Sequence, residues 1–304
     1  MTVCPSVPAG LRREALRGHA AMALFSALVA GSFSLGVRAA PLIDPGAISA
    51  ARFVIAAGVI AGVALAGPGL RRRDFHAPWR FLLLGGIFAV YFVLMFEGLR
   101  TADAVSASAV FTLTPLMAAG FGWLLLRQRL GAAMAATLGL GGAGAIWVIF
   151  RGDLAAMARL EFGRGEAIYL AGCVAHALYT PLVRRLNRGE SPIVFSLGTM
   201  VAGAAVLLIW SAPALRATNW AQLPAIVWIT LAYVGVFATA CTTMLLQFAT
   251  LRLRSAKVMA YTYLTPLWVI GIEAALKAGL PGSVVLPGVA AILLALVLLL
   301  GGTD

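Results

Sequence analysis

The chain has 304 residues, of which 62% are hydrophobic and 11% are charged, with a formal net charge of +12. Soluble domains average roughly 45–50% apolar and about 25% charged residues, so a water-soluble fold could not bury this much apolar surface. The composition excludes a secreted disulfide scaffold, a disordered chain and an ordinary cytosolic enzyme. The three cysteines, Cys4, Cys173 and Cys241, predict neither a disulfide framework nor a metal site.

Apolar runs bounded by charges, proline and glycine predict ten transmembrane helices, which we number span 1 to span 10 in chain order. A helix needs about 20 residues to cross a hydrocarbon core of roughly 30 Å. Runs such as Val289–Leu300 lack the alternation of a transmembrane β-strand, so the predicted class is all-α. The predicted bounds are 19–37, 45–66, 78–99, 103–126, 131–150, 165–186, 192–211, 223–250, 255–276 and 283–301.

The first run has an alternative reading as a secretory signal peptide. Arginines precede it, and it ends near Ala39-Ala40-Pro41, a small-residue sequence that resembles a cleavage site. Removing it would leave nine spans and would destroy the charge pattern and the repeat described below. We therefore retain it as span 1.

The basic residues are distributed unevenly between the two sides of the membrane. With a cytoplasmic N-terminus, the inner segments carry 15 of the 23 Lys and Arg, the outer segments carry 7, and Arg52 lies within span 2. This positive-inside bias predicts that both termini lie in the cytoplasm. The direction of helix insertion therefore explains the net positive charge, and no nucleic-acid partner is predicted.

An internal repeat divides the chain in half. Leu113-Thr114-Pro115-Leu116 in span 4 recurs as Leu264-Thr265-Pro266-Leu267 in span 9, an offset of 151 residues. The predicted units are therefore residues 1–151 and 152–304. Because each has an odd number of spans, the second must be inverted relative to the first. Such repeats are typical of secondary transporters, in which substrate binds near the midplane and the halves rock to give alternating access.

These features together resemble the drug/metabolite transporter superfamily, in its ten-helix EamA branch. The resemblance covers nearly the whole chain: two five-span halves, a short basic N-terminus, Arg52-Phe53 in span 2, and Thr-Pro-Leu in spans 4 and 9. Within the branch the chain is most similar to the bacterial aromatic amino acid exporters. The family usually has a glutamate about 13 residues after each proline, whereas Gln128 and Gly279 stand here.

No cofactor site is predicted. There is no GxxxxGK[ST] sequence, and the cluster of Gly139, Gly141, Gly142 and Gly144 lies inside an apolar span, where it indicates close helix packing. An ATP-driven pump would need a motor from another subunit.

Ionisable residues at membrane depth are the first candidates for a site. His176 lies near the middle of span 6 and is the leading candidate for a substrate or proton contact, against a neutral histidine bonded to a neighbouring helix. Apart from Asp103 and Glu166 at the first residues of their spans, Glu97 and Glu273 are the acids within the spans. We expect them to pair along their own helices with Arg100 and Lys277, at i,i+3 and i,i+4.

The sequence leaves three possible roles for Arg52 in span 2. It lies about two turns from the outer end of its helix, where it could snorkel or pair with Asp44 or Glu273. It could also bind a substrate carboxylate bidentately.

Rings beside hydroxyls and an amide predict a site for a solute that is partly apolar and partly polar. The central thirds of the spans expected to face the axis, which are spans 1, 3, 4, 6, 8 and 9, supply Phe33, Ser34, Tyr91, Phe92, Phe111, Thr112, Thr114, His176, Tyr179, Thr239, Thr242, Thr243, Gln247, Tyr261, Tyr263 and Trp268. The substrate-binding set that we predict is His176, Tyr179, Tyr91, Phe111, Thr114, Thr243, Gln247, Tyr263, Thr265 and Trp268.

Pro115 and Pro266 are predicted hinges. Each removes a backbone hydrogen bond in mid-span and frees a carbonyl. Thr114 and Thr265, immediately before them, could bond the freed group or could bind substrate.

The sequence thus predicts a secondary transporter that exports amino acids, aromatic ones first, by alternating access. Its partners would be the lipid bilayer and a small-molecule substrate, and the ten-span unit is compatible with a monomer. The alternatives are an exporter of drugs or other metabolites with the same fold, a membrane-embedded lipid transferase, and a non-transporting receptor or assembly protein.

Overall fold

The computed structural model describes residues 9–67, 69–128, 131–159, 161, 163–253, 255–276 and 281–301. Within these ranges all regular structure is helical, and ten helices are long and apolar enough to cross a membrane. The ten predicted spans are therefore confirmed. Cys4, Lys277 and Gly279, which were named above, lie outside the described residues.

The ten spans contain helical segments that are in places interrupted. Their bounds are Ala9–Ala39 for span 1, Pro45–Ala66 for span 2, Trp79–Gly98 for span 3, Ala104–Phe111 and Thr114–Leu126 for span 4, Ala132–Ile149 for span 5, Arg164–Leu186 for span 6, Pro192–Trp210 for span 7, Ala225–Gly235, Val236–Cys241 and Thr242–Thr250 for span 8, Ser255–Ala260, Tyr261–Leu264 and Thr265–Ala275 for span 9, and Leu286–Gly301 for span 10.

Short helices occupy several connections and helix ends. They are Ala40–Leu42, Arg72–Phe75, Leu154–Arg159, Ala212–Ala217, Trp220–Gln222 and Ser283–Val285. We call the side of the membrane on which span 1 begins the N-terminal face, and the other side the opposite face.

Span 1 begins at Ala9, ten residues before the predicted start. The additional turns carry Glu14, which accepts from Arg17 within the helix at 2.6 Å and from Arg252, after span 8, at 2.7 Å. An apolar run alone could not indicate this extension because the first turns are stabilised by ion pairs.

Side-chain caps fix the start of several spans. The carboxylate of Asp44 accepts hydrogen bonds from the backbone N–H groups of Gly46 and Ala47, and Pro45 occupies the first helical position. Asp103 caps span 4, and Ser191 caps span 7. These caps satisfy backbone donors that a helix start leaves free.

The two halves pack against each other with a regular pattern. Span 1 contacts span 8 as span 6 contacts span 3, span 1 contacts span 9 as span 6 contacts span 4, and span 3 contacts span 7 as span 8 contacts span 2. Spans 2 and 7, 4 and 9, and 5 and 10 contact each other directly. If spans 1 to 5 are renumbered as 6 to 10 and spans 6 to 10 as 1 to 5, this list of contacts stays the same. Such packing is expected of two related five-span halves.

Glycines allow the closest of these approaches. A Cβ atom added at Gly144 of span 5 would lie 2.7 Å from the carbonyl oxygen of Gly288 in span 10, and one added at Gly85 of span 3 would meet the backbone of Gly203 in span 7. The interpretation of the span 5 glycine cluster as a packing surface is therefore confirmed at Gly144. Small residues have this role where no water drives helix association.

Candidate functional site

A small cavity lies at the centre of the bundle, between spans 1, 3, 4, 6 and 8. Its free volume of about 10 Å³ holds little more than one water molecule, and its walls are buried from both faces. A solute of amino acid size would enter only after the spans separate. The lining residues are Phe25, Val29, Ser32, Phe88, Tyr91, Phe92, Phe111, His176, Ala238, Thr242, Thr243 and Leu246.

Four members of the predicted substrate-binding set share this wall: Tyr91, Phe111, His176 and Thr243. They come from four different spans, so the fold brings together residues that are up to 152 positions apart in the sequence. The hydroxyl of Thr243 is buried and has no hydrogen-bond partner. It is therefore free to bond a solute in the cavity.

His176 stands among aromatic rings. Its ring centroid lies 4.5 Å from that of Tyr91 and 5.3 Å from that of Phe111, both in edge-to-face geometry, and 5.7 Å from that of Phe88. The nitrogen Nδ1 is buried without a hydrogen-bond partner. Because buried polar atoms are normally paired, this free nitrogen in an aromatic wall makes His176 a candidate for a ligand contact.

Tyr179 and Gln247 form a second layer next to this wall. The Tyr179 ring stacks on Phe88 with centroids 4.4 Å apart, and Gln247 donates from Nε2 to the Tyr179 hydroxyl at 3.2 Å. The amide oxygen of Gln247 has no partner. Both residues are held one ring away from the cavity, so they support its wall in this conformation rather than line it.

Two aromatic residues close to His176 and Tyr91, namely Phe88 and Tyr169, were absent from the predicted set, as were Phe25 and Phe92 of the cavity wall. Tyr169 is fully buried, and its hydroxyl lies 3.2 Å from that of Tyr91. The helical period could have indicated both, because Tyr169 lies two turns before His176 and Phe88 lies one turn before Tyr91.

The structure excludes two of the interpretations of Arg52: that its side chain extends to the outer membrane surface, and that it pairs with Asp44 or Glu273. The side chain is fully buried, and in the described part of the chain neither suggested acid reaches it. Its Nε donates to the hydroxyl of Thr239 at 2.9 Å, and one terminal nitrogen donates to the carbonyl of Ala238 at 3.3 Å. The guanidinium lies over the ring of Phe92, 3.7 Å from its centroid. The expectation of an Asp44 or Glu273 partner was wrong because both carboxylates have other partners.

A π-helical turn in span 8, Val236–Cys241, supplies the groups that hold Arg52. Within it the hydroxyl of Thr239 donates to the carbonyl of Val234 at 2.6 Å while accepting from Arg52. The widened turn also places Ala238 in the cavity wall. Such bulges occur frequently at functional sites, and nothing in the amino-acid pattern predicted this one.

The prolines of spans 4 and 9 interrupt their helices as predicted, but the two threonines differ. Pro115 cannot donate to the carbonyl of Phe111, and the hydroxyl of Thr114 bonds that carbonyl instead. The hydroxyl of Thr265 is buried without a partner. Neither threonine lines the cavity, so a substrate contact for either stays a prediction.

Tyr263 and Trp268 lie away from the cavity in this conformation. Tyr263 belongs to an apolar cluster with spans 5 and 10, where its ring faces Gly141. Trp268 is 44% exposed on the outside of the bundle, and its indole N–H donates to Ser26 at 3.3 Å. Span 9 thus contributes no residue to the cavity wall, although we expected it to face the axis.

At the opposite face, the predicted Glu97–Arg100 ion pair is confirmed, whereas the predicted partner of Glu273, Lys277, lies outside the described residues. Arg100 donates to Glu97 at 3.2 Å, as its i,i+3 spacing predicted. Glu273 accepts instead from Arg38 of span 1, through both carboxylate oxygens at 2.9 Å. This pair joins span 1 of the first half to span 9 of the second. The sequence spacing to Lys277 could not reveal it.

At the N-terminal face, a buried arginine joins spans 3 and 6. Arg80 donates to the carbonyl of Leu186 at 2.6 Å and to the carboxylate of Glu190 at 2.7 Å. Burial alone would raise the pKa of Glu190, but the hydrogen bonds from Arg80 and from the backbone N–H of Arg188 lower it below its ordinary value. Glu190 is therefore held as a carboxylate.

A larger pocket of about 820 Å³ opens at the opposite face, and we call it the vestibule. Its lining includes Arg38, Glu273, Asp103 and Arg151, together with the ends of spans 1, 4, 5, 9 and 10. The Arg38–Glu273 pair contributes to its wall. Ion pairs thus join the two halves of the chain at both membrane faces.

The sequence model of the EamA-like transporter family matches this chain twice, over residues 16–150 and 163–301. The chain belongs to this family. Together with the ten spans, the match identifies the protein as a multi-pass membrane transporter of the EamA type.

Two further similarities agree with this assignment. The chain is 25% identical over 218 residues, 71% of each protein, to a Bacillus subtilis (strain 168) protein described as an uncharacterized transporter, YyaM. A solved crystal structure superposes with a TM-score of 0.70 over 94% of this chain and 96% of its own, at 20% sequence identity. At that identity the superposition shows a shared fold alone.

Proposed function

We propose that this EamA-type transporter exports amino acids, with aromatic amino acids as its preferred substrates. The observation that carries the proposal is the free Nδ1 of His176 within the rings of Phe88, Tyr91 and Phe111. Rings of this kind suit a flat apolar group, and the imidazole and the Thr243 hydroxyl suit its polar end.

The proposed direction of transport rests on the charge distribution. We place the N-terminal face in the cytoplasm because its segments carry 15 of the 23 basic residues. The protein would then lie in the bacterial inner membrane with both termini inside. One chain supplies the whole wall of the cavity, which favours the monomer as the transport unit.

The proposed mechanism is alternating access by the halves 1–151 and 152–304. Ion pairs that cross between the halves close the cavity at both faces: Arg38 with Glu273 at the opposite face, and Arg80 with Glu190 at the N-terminal face. Substrate would enter when the N-terminal pairs separate and leave when Arg38 and Glu273 separate. The interruptions at Pro115 and Pro266 provide the hinges.

Efflux of radiolabelled phenylalanine or tryptophan from proteoliposomes tests the proposal. We expect purified protein to accelerate efflux and His176→Ala to lose most of it. Tyr179→Phe should have a smaller effect because its hydroxyl lies outside the wall. Trp123→Phe is the control, since that indole is exposed on the outside of span 4. No accelerated efflux of any amino acid would refute the proposal, and full activity of both His176→Ala and Tyr179→Phe would refute the site.

An exporter of drugs or other small metabolites is the second candidate. The phenylalanines at positions 25, 88, 92 and 111 make much of the cavity wall apolar, which also suits an uncharged aromatic drug. Competition by a panel of such compounds in the same efflux assay separates the two candidates.

A further inference from the structure

Arg52 is a fully buried charge at the edge of the central cavity. Its guanidinium contacts two wall residues directly, the ring of Phe92 and the carbonyl of Ala238. The third nitrogen, Nη1, is buried and has no hydrogen-bond partner. The side chain is therefore only partly satisfied by the protein.

No acidic residue in the described part of the chain compensates this charge. Its hydrogen bonds go to a hydroxyl and a carbonyl, which are neutral acceptors. Asp44 caps span 2, and Glu273 is bound on both oxygens by Arg38. Burying an uncompensated charge in a bilayer is costly, and such residues usually mark the path of a ligand.

An anionic group bound at Nη1 would remove this cost. A guanidinium is planar and presents paired N–H donors that match the two oxygens of a carboxylate. The Thr239 and Ala238 bonds fix the orientation of Arg52, so little entropy would be lost on binding.

The axial positions agree with this assignment. Arg52 is seven residues from the start of span 2, and His176 is twelve residues from the start of span 6, both counted from the opposite face. At a rise of about 1.5 Å per residue, His176 lies roughly 8 Å deeper than Arg52. This separation is comparable to the length of an arylalkyl carboxylate.

We propose that Arg52 binds the carboxylate of the transported solute, while the aromatic rings around His176 hold its apolar end. The proposal rests on the proposed function for the choice of cavity, and it deepens that function. The transported solute must then carry a carboxylate, but it need not carry a charged amino group. The substrate class is therefore aromatic or apolar carboxylates, which includes aromatic amino acids.

A ligand panel on the wild-type protein tests this requirement. The compounds are phenylalanine, 3-phenylpropionate, phenylalaninamide and phenethylamine, measured by thermal stabilisation of the purified full chain and by competition in the efflux assay. We expect the two carboxylates to bind and compete roughly tenfold to a hundredfold more strongly than the amide and the amine, the factor expected for a hydrogen bond to a charged group. If the amide and the amine bind as strongly as the two carboxylates, the proposal is overturned.

Variants of Arg52 assign the selectivity to this side chain. Arg52→Gln should lose the tenfold to hundredfold preference for carboxylates, and Arg52→Lys should keep part of it. Arg80→Gln is the matched control because Arg80 is also buried but lies at the N-terminal face, away from the cavity. It should lower thermal stability and retain the preference for carboxylates in thermal stabilisation, the measurement that does not depend on transport through the gate to which Arg80 belongs. Size-exclusion chromatography checks folding, and if Arg52→Gln does not fold, Arg52→Lys and the wild-type panel decide.

A different result is expected if Arg52 has only a structural role and holds spans 2, 3 and 8 together. A folded Arg52→Gln protein would then keep the wild-type order of ligands, and this result would overturn the proposal.

The panel also separates the two proposals. Transport of 3-phenylpropionate without transport of phenylalanine would refute amino acid export and support the role of Arg52. Equal transport of phenylalanine and phenylalaninamide would refute the role of Arg52 and leave amino acid export intact.

Discussion

Replacing Glu273 by glutamine should shift the protein towards the conformation that opens the central cavity to the vestibule. Glu273 accepts two hydrogen bonds from Arg38 at 2.9 Å, and these join spans 9 and 1 across the two halves. Glutamine keeps the size and polarity of the side chain but removes the charge and one acceptor oxygen. The variant thus tests the ion pair with little change in packing.

The expected magnitude follows from the geometry and burial of the pair. The Glu273 side chain is 12% exposed and that of Arg38 is 31% exposed, so the pair is neither fully solvated nor fully buried. A bidentate charged pair in this setting contributes about 1–2 kcal/mol, more than a surface pair and less than a fully buried hydrogen bond to a charge. A loss of this size changes the ratio of open to closed forms about 5- to 30-fold.

Cysteine labelling measures this shift. Ser32 lines the closed central cavity and is 3% exposed, so Ser32→Cys should react with a membrane-impermeant maleimide about 5- to 30-fold faster when combined with Glu273→Gln. Protein without the introduced cysteine gives the background. Glu97→Gln is the matched control, because that pair with Arg100 is exposed and stays within one half. Equal labelling with and without Glu273→Gln, or an equal rise with Glu97→Gln, would refute the gate.

Two further predictions concern stability. The Arg80–Glu190 pair lowers the pKa of Glu190 in the folded state. The contribution of the pair to the stability of the folded protein is therefore fully present above the ordinary pKa near 4.5. It is lost as the pH falls through the lower pKa of the folded state. The difference in melting temperature between wild type and Glu190→Gln should therefore shrink below about pH 4.5, and a constant difference down to pH 3 would contradict this. Thr114→Val should cost about 1–3 kcal/mol because it leaves the carbonyl of Phe111 unbonded, as judged by thermal unfolding in detergent. Thr265→Val, whose hydroxyl makes no hydrogen bond, should change stability much less, and equal losses would refute this account.

The sequence could predict the spans because their borders depend on local chemistry. Apolar runs end at charges, and residues such as Asp44 and Asp103 mark helix starts. The interruptions of spans 4 and 9 were predictable for the same reason, since a proline at Pro115 or Pro266 removes a backbone bond wherever it stands.

The partners of charged residues could not be predicted because they come from distant parts of the chain. The partner of Glu273 is Arg38, 235 residues away, whereas the local spacing indicated Lys277. Arg52 is held by Thr239 and Ala238, which reach it only because span 8 forms a π-helical turn. A bulge of this kind depends on tertiary packing and leaves no period in the sequence.

The close approach of Gly144 and Gly288 has a consequence for biosynthesis. These residues are 144 positions apart, so at about 5–20 residues per second the ribosome completes the second roughly 7 to 30 s after the first. Span 5 must therefore wait in the bilayer, with its glycine surface facing lipid or an insertion factor, until span 10 arrives. The first half of the chain is a unit of repetition in the sequence, but its span 5 completes its packing only after span 10 has been made.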